Sequence, residues 1–301
     1  MCDSGPSSRM LWPNWRNFIS AIKRLPQKIE TIISYDEISN IDISNDVYAL
    51  PLDCDLEYID KIEIKRDVDF LYTILPFETD FYAKFNMKVD YVGNPLCDSI
   101  ESYPYNSNFK TEHNIGRPYI ALLPGSRMSE LKHVLPNMLE TIKNFPEYDF
   151  ILAGANHISD EIYKNYCTGY TVKIIKGQTY DVLKNAHAGL VCSGTATLET
   201  ALLNCPQVVC FRFSKLSYFI GKLVIKVKYI SLVNLIMDKA VVEELIQDDF
   251  NEKKIASSLR KILTGQSRLD MIQSYAALKI KVGNSGASER TAKLIVGRTQ
   301  N

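Results

Sequence analysis

Between residues 119 and 213 the chain alternates short apolar runs with helical stretches, and no other feature restricts the fold as much. YIALL (119–123), residues 148–153, residues 171–175, GLVC (189–192) and residues 207–213 have the length of buried strands. Helical patterns fill residues 129–144, 158–166, 180–186 and 195–203 between them. Such alternation predicts a parallel sheet with helices on both faces, and ligands at the carboxyl ends of its strands. Two turns fall at such ends: Pro124-Gly125-Ser126-Arg127 and Ser193-Gly194-Thr195.

The second turn opens a helix whose first N–H groups lack intrahelical partners and face whatever sits in front of them. Ser193, Gly194 and Thr195 keep that mouth narrow and add hydroxyls, and Glu199 lies one turn further on, on the same face as Thr195. Phosphates before the helix and a carboxylate holding a sugar hydroxyl suit a nucleotide-sugar. Alone, the stretch leans only slightly that way, since Ser and Thr also cap ordinary helices. Arg127 follows a glycine that lets backbone approach a ligand closely, and its planar fork matches two phosphate oxygens. The competing reading pairs Arg127 with Glu130 on the same helix; its place at a strand's end favours function. Asn234, one amide among the aliphatics of 231–235, either caps a helix or binds a ligand. Glu243, Glu244 and Gln247 lie near the expected mouth, where carboxylates read as solvated helix charges.

Upstream, residues 69–75 (DFLYTIL) read as a buried strand, 79–85 as a short helix and 89–92 as a second strand, the edge of another α/β layer. Residues 94–116 are polar and Tyr- and Pro-punctuated, as expected of an interdomain connection. Downstream, 251–263 and 267–281 predict amphipathic helices, and 286–296 a last helix capped by Ser288. Residues 214–230 interleave Lys215, Lys222, Lys226 and Lys228 with aliphatics. That run suits an interfacial helix on anionic headgroups or, slightly favoured, a core element with snorkelling lysines. Residues 15–33 allow a basic amphipathic helix. The triplets Asp53-Cys54-Asp55 and Asp67-Val68-Asp69 resemble metal-binding DxD motifs, but strand alternation puts their carboxylates on a wet face.

Lys plus Arg and Asp plus Glu both number 35, so bulk charge gives no reason to expect a nucleic-acid partner. Seven cysteines without a CxxC pair predict reduced thiols, and four histidines make no metal spacing. The first residues have no continuous apolar core, so no signal peptide is expected, and no run is apolar enough to span a bilayer.

ILPFE (74–78), YVGNP (91–95), LLPGSR (122–127) with Glu130, SGTATLE (193–199), KYISLVNL (228–235) and GASER (286–290) stand in order. Together they resemble lipid-A-disaccharide synthase, an inverting GT-B glycosyltransferase family of Gram-negative bacteria, from about residue 67 onward. The resemblance implies an α/β fold: a GT-B-type Rossmann-like donor domain over 113–301, with strands of an N-terminal Rossmann-like domain and a linker over 66–112. Residues 1–65 stay unassigned. It also implies transfer of 2,3-diacylglucosamine from UDP-2,3-diacylglucosamine to 2,3-diacylglucosamine 1-phosphate, without metal or other cofactor. The products are the β-1,6 lipid A disaccharide 1-phosphate and UDP. Peripheral attachment to the cytosolic face of the inner membrane and self-association through C-terminal elements follow from the same likeness. The donor would sit on Arg127, Ser193, Gly194, Thr195 and Glu199, with Asn234 matched to the family's SLxNL segment and Gln247 to its ELxQ segment. The family's glycine-rich AGEASGD-type segment does not occur, so no general base is assigned. The expectation is a chain lacking most of the first domain, whose alternative role is a non-catalytic UDP- or UDP-sugar-binding module.

Overall fold

The computed structural model describes residues 68–212 and 228–299. The unassigned segment 1–65, the expected helix over 15–33, the 53–55 triplet, Asp67 and nearly all of the 214–230 run lie outside the described residues. Two compact units are present, Met1–Ser102 with Val282–Asn301, and Tyr103–Lys281.

In the first unit, β1 (Tyr72–Thr73) pairs in parallel with β2 (Asp90–Tyr91) across helix α1 (Glu78–Ala83). The expected strand over 69–75 is therefore only two residues long. Pro76 lacks the N–H a ladder needs, and Glu78 turns back to accept from the Ile74 and Leu75 amides at 3.0 and 2.7 Å. Helix α2 (Pro95–Ser102) starts inside the expected polar connection, with Pro95 in its first turn and Asn94 accepting from Leu96 N–H at 3.0 Å.

The second unit begins with α3 (Phe109–Glu112), also inside that connection and anchored by the buried Phe109. β3 (Tyr119–Leu123), α4 (Met128–Glu140), β4 (Asp149–Gly154), α5 (Asp160–Cys167) and β5 (Lys173–Lys176) follow in alternation. Then come α6 (Thr179–Asn185), β6 (Ala188–Cys192), α7 (Thr195–Leu202), β7 (Gln207–Phe211), α8 (Leu232–Met237) and β8 (Glu243–Ile246). Helices α9 (Glu252–Leu263) and α10 (Gly265–Val282) follow, and α11 (Ala287–Thr299) is grouped with the first unit. All six strands run parallel in the order β5-β4-β3-β6-β7-β8. Right-handed crossovers put helices of the two halves on opposite faces. Alternation along β3 bears this out, because Tyr119, Ala121 and Leu123 share a core with Val182 and Leu183 of α6.

β8 corrects one expectation. Glu243 and Glu244 sit on an edge strand, not on a helix, because residues 243–246 pair in parallel register with Val208–Phe211 of β7. Glu243 pairs with Lys261 at 3.1 Å. Among the described residues no helix is long and apolar enough to cross a membrane.

Candidate functional site

The strand order reverses between β3 and β6: the chain works outward through β4 and β5 on one side and through β7 and β8 on the other. Adjacent strands whose connections leave in opposite directions open a crevice at their carboxyl ends. Leu123 ends β3 and is followed by Pro124–Arg127; Cys192 ends β6 and is followed by Ser193-Gly194. The two turns singled out in the sequence therefore flank one crevice.

Gly125 holds φ +101°, and a Cβ there would lie 2.7 Å from Glu130 Cβ. That space admits the Glu130 carboxylate, which accepts from Ser126 N–H at 2.9 Å and Arg127 N–H at 3.2 Å. Arg127 caps α4 with extended backbone, and its guanidinium stands 3.6 Å from Glu130, half of its side chain exposed. The pairing weighed against a ligand role is thus present, at the loose spacing of an exposed pair, which contributes little stability. His157, beyond β4, donates Nε2–H to the Ser126 carbonyl at 2.8 Å and ties two carboxyl-end loops together.

Gly194 caps α7 with φ +144°, and among the described residues nothing stands within 4 Å of where its Cβ would be. Thr195, the first helical residue, is exposed. Ser193 is used internally: its N–H donates to Cys210 O and its hydroxyl to Ile230 O at 3.0 Å. Thr197 Oγ1 donates back to Gly194 O at 2.8 Å and fixes the turn. Glu199 is half-buried; burial pushes its carboxyl up, and Tyr180 O–H, donating at 2.7 Å, pulls it back.

Asn234 is buried, and its side chain is fully committed. Oδ1 accepts from Val241 and Val242 N–H at 2.7 and 3.0 Å, while Nδ2 donates to Val242 O and to Glu244 at 2.9 and 2.8 Å. Glu244 also accepts from Ile230 N–H, Ser231 N–H and Ser231 Oγ–H. A continuous hydrogen-bond chain therefore runs from Ser193 through Ile230 and Glu244 to Asn234, so Asn234 reaches the turn through other residues. Gln247 ends up two strands from β6, just beyond β8, with φ +53°; its Nε2 is buried with no partner among the described residues. Arg127, Ser193, Gly194, Thr195 and Glu199 belong to the loops and helix at the switch point, whereas Asn234 and Gln247 do not flank it.

Sequence reading missed Tyr180 and His157, and took Glu244 for a solvated helix charge. Tyr180 and His157 follow strands at their carboxyl ends, the signal that singled out Arg127, while Glu244 could be found only by recognising β8. Cys97, Cys167, Cys192, Cys205 and Cys210 are free thiols. Burial raises all five, Cys192 and Cys205 to about 12, so none is primed as a nucleophile.

A parallel sheet with this reversal, and a turn at each of the two strand ends beside it, defines a Rossmann-like α/β domain of the GT-B type. Solved structures share that fold. S. aureus MnaA in a co-structure with UDP superposes with TM-score 0.57 at 14% identity, over 79% of this chain and 61% of that one. Methanocaldococcus jannaschii UDP-GlcNAc 2-epimerase in complex with UDP-GlcNAc and UDP gives 0.53 at 15%, over 78% and 63%. The particular family comes from sequence: residues 60–297 match the family model described as lipid-A-disaccharide synthetase. The lipid-A-disaccharide synthase of Myxococcus xanthus is 35% identical over 242 residues, 77% of this chain and 63% of that protein. The Syntrophus aciditrophicus one is 39% identical over 239 residues, 75% and 61%. This chain belongs to the lipid-A-disaccharide synthetase family, and it spans a little under two thirds of the length of these relatives.

Proposed function

We propose that the chain is a lipid-A-disaccharide synthase acting on UDP-2,3-diacylglucosamine. The 6-hydroxyl of 2,3-diacylglucosamine 1-phosphate attacks C1 of the donor sugar, the C1–O bond to UDP breaks, and the β-1,6 disaccharide 1-phosphate and UDP leave. One observation carries the reading: the Pro124–Arg127 and Ser193–Thr195 turns leave neighbouring strands at the switch point. There the diphosphate meets the Arg127 guanidinium and the N–H groups at the start of α7, which take up charge as the leaving group forms. Ser193 and Gly194 shape that mouth, Thr195 adds a hydroxyl, and Glu199 accepts from the ribose hydroxyls. Asn234 holds the turn through Glu244, and the orphaned Gln247 amide is the remaining donor-side group. In this reading the unit Tyr103–Lys281 serves the donor side, and the unit that includes Val282–Asn301 the acceptor side. The family resemblance adds a peripheral location on the cytosolic face of the inner membrane and a homodimer.

The test is turnover by the purified full chain with both lipid substrates in detergent micelles. Disaccharide 1-phosphate and UDP forming above the no-enzyme control is the expected result. UDP binding without product would contradict transfer and leave a sugar-nucleotide-binding module. Arg127→Ala should weaken UDP binding about 10- to 100-fold, the worth of a charge-assisted hydrogen-bond pair.

A further inference from the structure

We propose that Tyr180 is the positioning residue that turns Glu199 into a selector for ribose over deoxyribose, an inference that rests on the donor-site reading above. Tyr180 stands in the first turn of α6, beyond β5, and Glu199 in the second turn of α7, beyond β6. Right-handed crossovers toward the same side of the sheet put both helices on one face, which brings the two side chains together. The phenol donates to Glu199 Oε1 at 2.7 Å. With one carboxylate oxygen engaged and the plane of the group fixed, Oε2 is left to accept from a sugar hydroxyl.

The phenol is itself held. Its ring meets the Tyr103 ring edge-on at 5.1 Å between centroids, and Tyr103 meets Tyr105 in the same way at 4.9 Å. Tyr103 O–H donates to the buried Asp181 at 2.8 Å, Asn106 N–H donates to the other Asp181 oxygen at 2.9 Å, and the Lys184 ammonium caps the Tyr105 ring. The segment entering the second unit is thus pinned onto α6, and Tyr180 has little rotational freedom. Burial favours the neutral carboxyl at Glu199, and the Tyr180 bond opposes it. A neutral acid presents a less effective acceptor to a ribose hydroxyl, so the phenol sets the direction of the accepting oxygen and offsets part of the effect of burial.

The experiment compares calorimetric affinities for UDP and for 2′,3′-dideoxyuridine diphosphate in the full chain and in the Tyr180→Phe, Glu199→Gln and double variants. The wild type should prefer UDP. Tyr180→Phe should cut that preference about five-fold, the worth of one hydrogen bond, while affinity for the dideoxy analogue and the melting temperature hold. In the Glu199→Gln background, Tyr180→Phe should have no further effect. Undiminished ribose preference in Tyr180→Phe, with Glu199→Gln losing it, would overturn the Tyr180 assignment alone. Equal affinity of the wild type for both nucleotides would overturn the ribose role of Glu199 and this inference with it.

Discussion

At the scale of single residues, Gly125 and Glu199 carry constraints that can be measured separately from catalysis. A side chain at Gly125 would meet both an unfavourable φ and the Glu130 side chain, whose carboxylate closes the turn. Gly125→Ala should therefore cost about 1–3 kcal/mol, read as a lower urea midpoint at unchanged slope. Glu199 gives a pH signature. Its folded-state pKa lies above the unfolded value, so between the two values the native state binds more protons than the unfolded chain. Stability from this group is fully present below about pH 4, the unfolded value, and is lost as pH rises through the folded value. Glu199→Gln should consequently melt higher than the wild type near neutrality, and the difference should vanish toward pH 4; a difference independent of pH would refute the assignment. Asn234 contributes through structure. Replacing it by Ala strands the Val241 and Val242 N–H groups and takes a donor from the Val242 carbonyl, and should destabilise by about 1–3 kcal/mol for each N–H left unsatisfied, visible as a lower denaturation midpoint.

Among the elements, α11 shows what a local pattern hides. The sequence suggests Ser288 as its cap, but Ser288 lies inside the helix and its Oγ is buried without a partner. Asp98 of α2 supplies the cap instead, accepting from the Gly286, Ala287 and Ser288 N–H groups. Arg290 donates to Val92 O at 2.7 Å, and Gly93, at φ +90°, leaves room for that guanidinium. Asp98→Ala should cost about 1–2 kcal/mol and speed hydrogen exchange at the first amides of α11. No local window could reveal such a cap, since its halves are about 190 residues apart in sequence. By contrast, β3, β6 and α7 were legible almost to the residue. Their apolar runs are fully buried and end at Pro124-Gly125 and Ser193-Gly194, where local chemistry and tertiary packing agree. β8 was not legible, because its four residues read Glu-Glu-Leu-Ile, with Leu245 alone buried, and so carry no period-2 alternation. The sequence placed Arg127 and Glu199 just beyond strand ends, where the structure has them; the Tyr180 and Glu244 contacts around them join different strands and helices.

For the whole molecule, the six ordered motif blocks separate by task. ILPFE, YVGNP and GASER tie the smaller unit together through Glu78, Asn94 and Arg290. LLPGSR and SGTATLE flank the switch point, and KYISLVNL braces the second of these through Ser193, Ile230 and Glu244. A sequence can thus carry a family's marks in its scaffold and at a strand-end crevice at once, and the blocks at the carboxyl ends of β3 and β6 are the ones proposed to hold the donor phosphates. The most direct test of that division is a calorimetric titration of the full chain with UDP, run beside Arg127→Ala and Arg290→Ala. The account predicts saturable binding by the wild type, about 10- to 100-fold weaker binding by Arg127→Ala, and near-native affinity for Arg290→Ala despite its lower melting temperature. Equal UDP affinity in the wild type and a folded Arg127→Ala would contradict a donor site at this crevice.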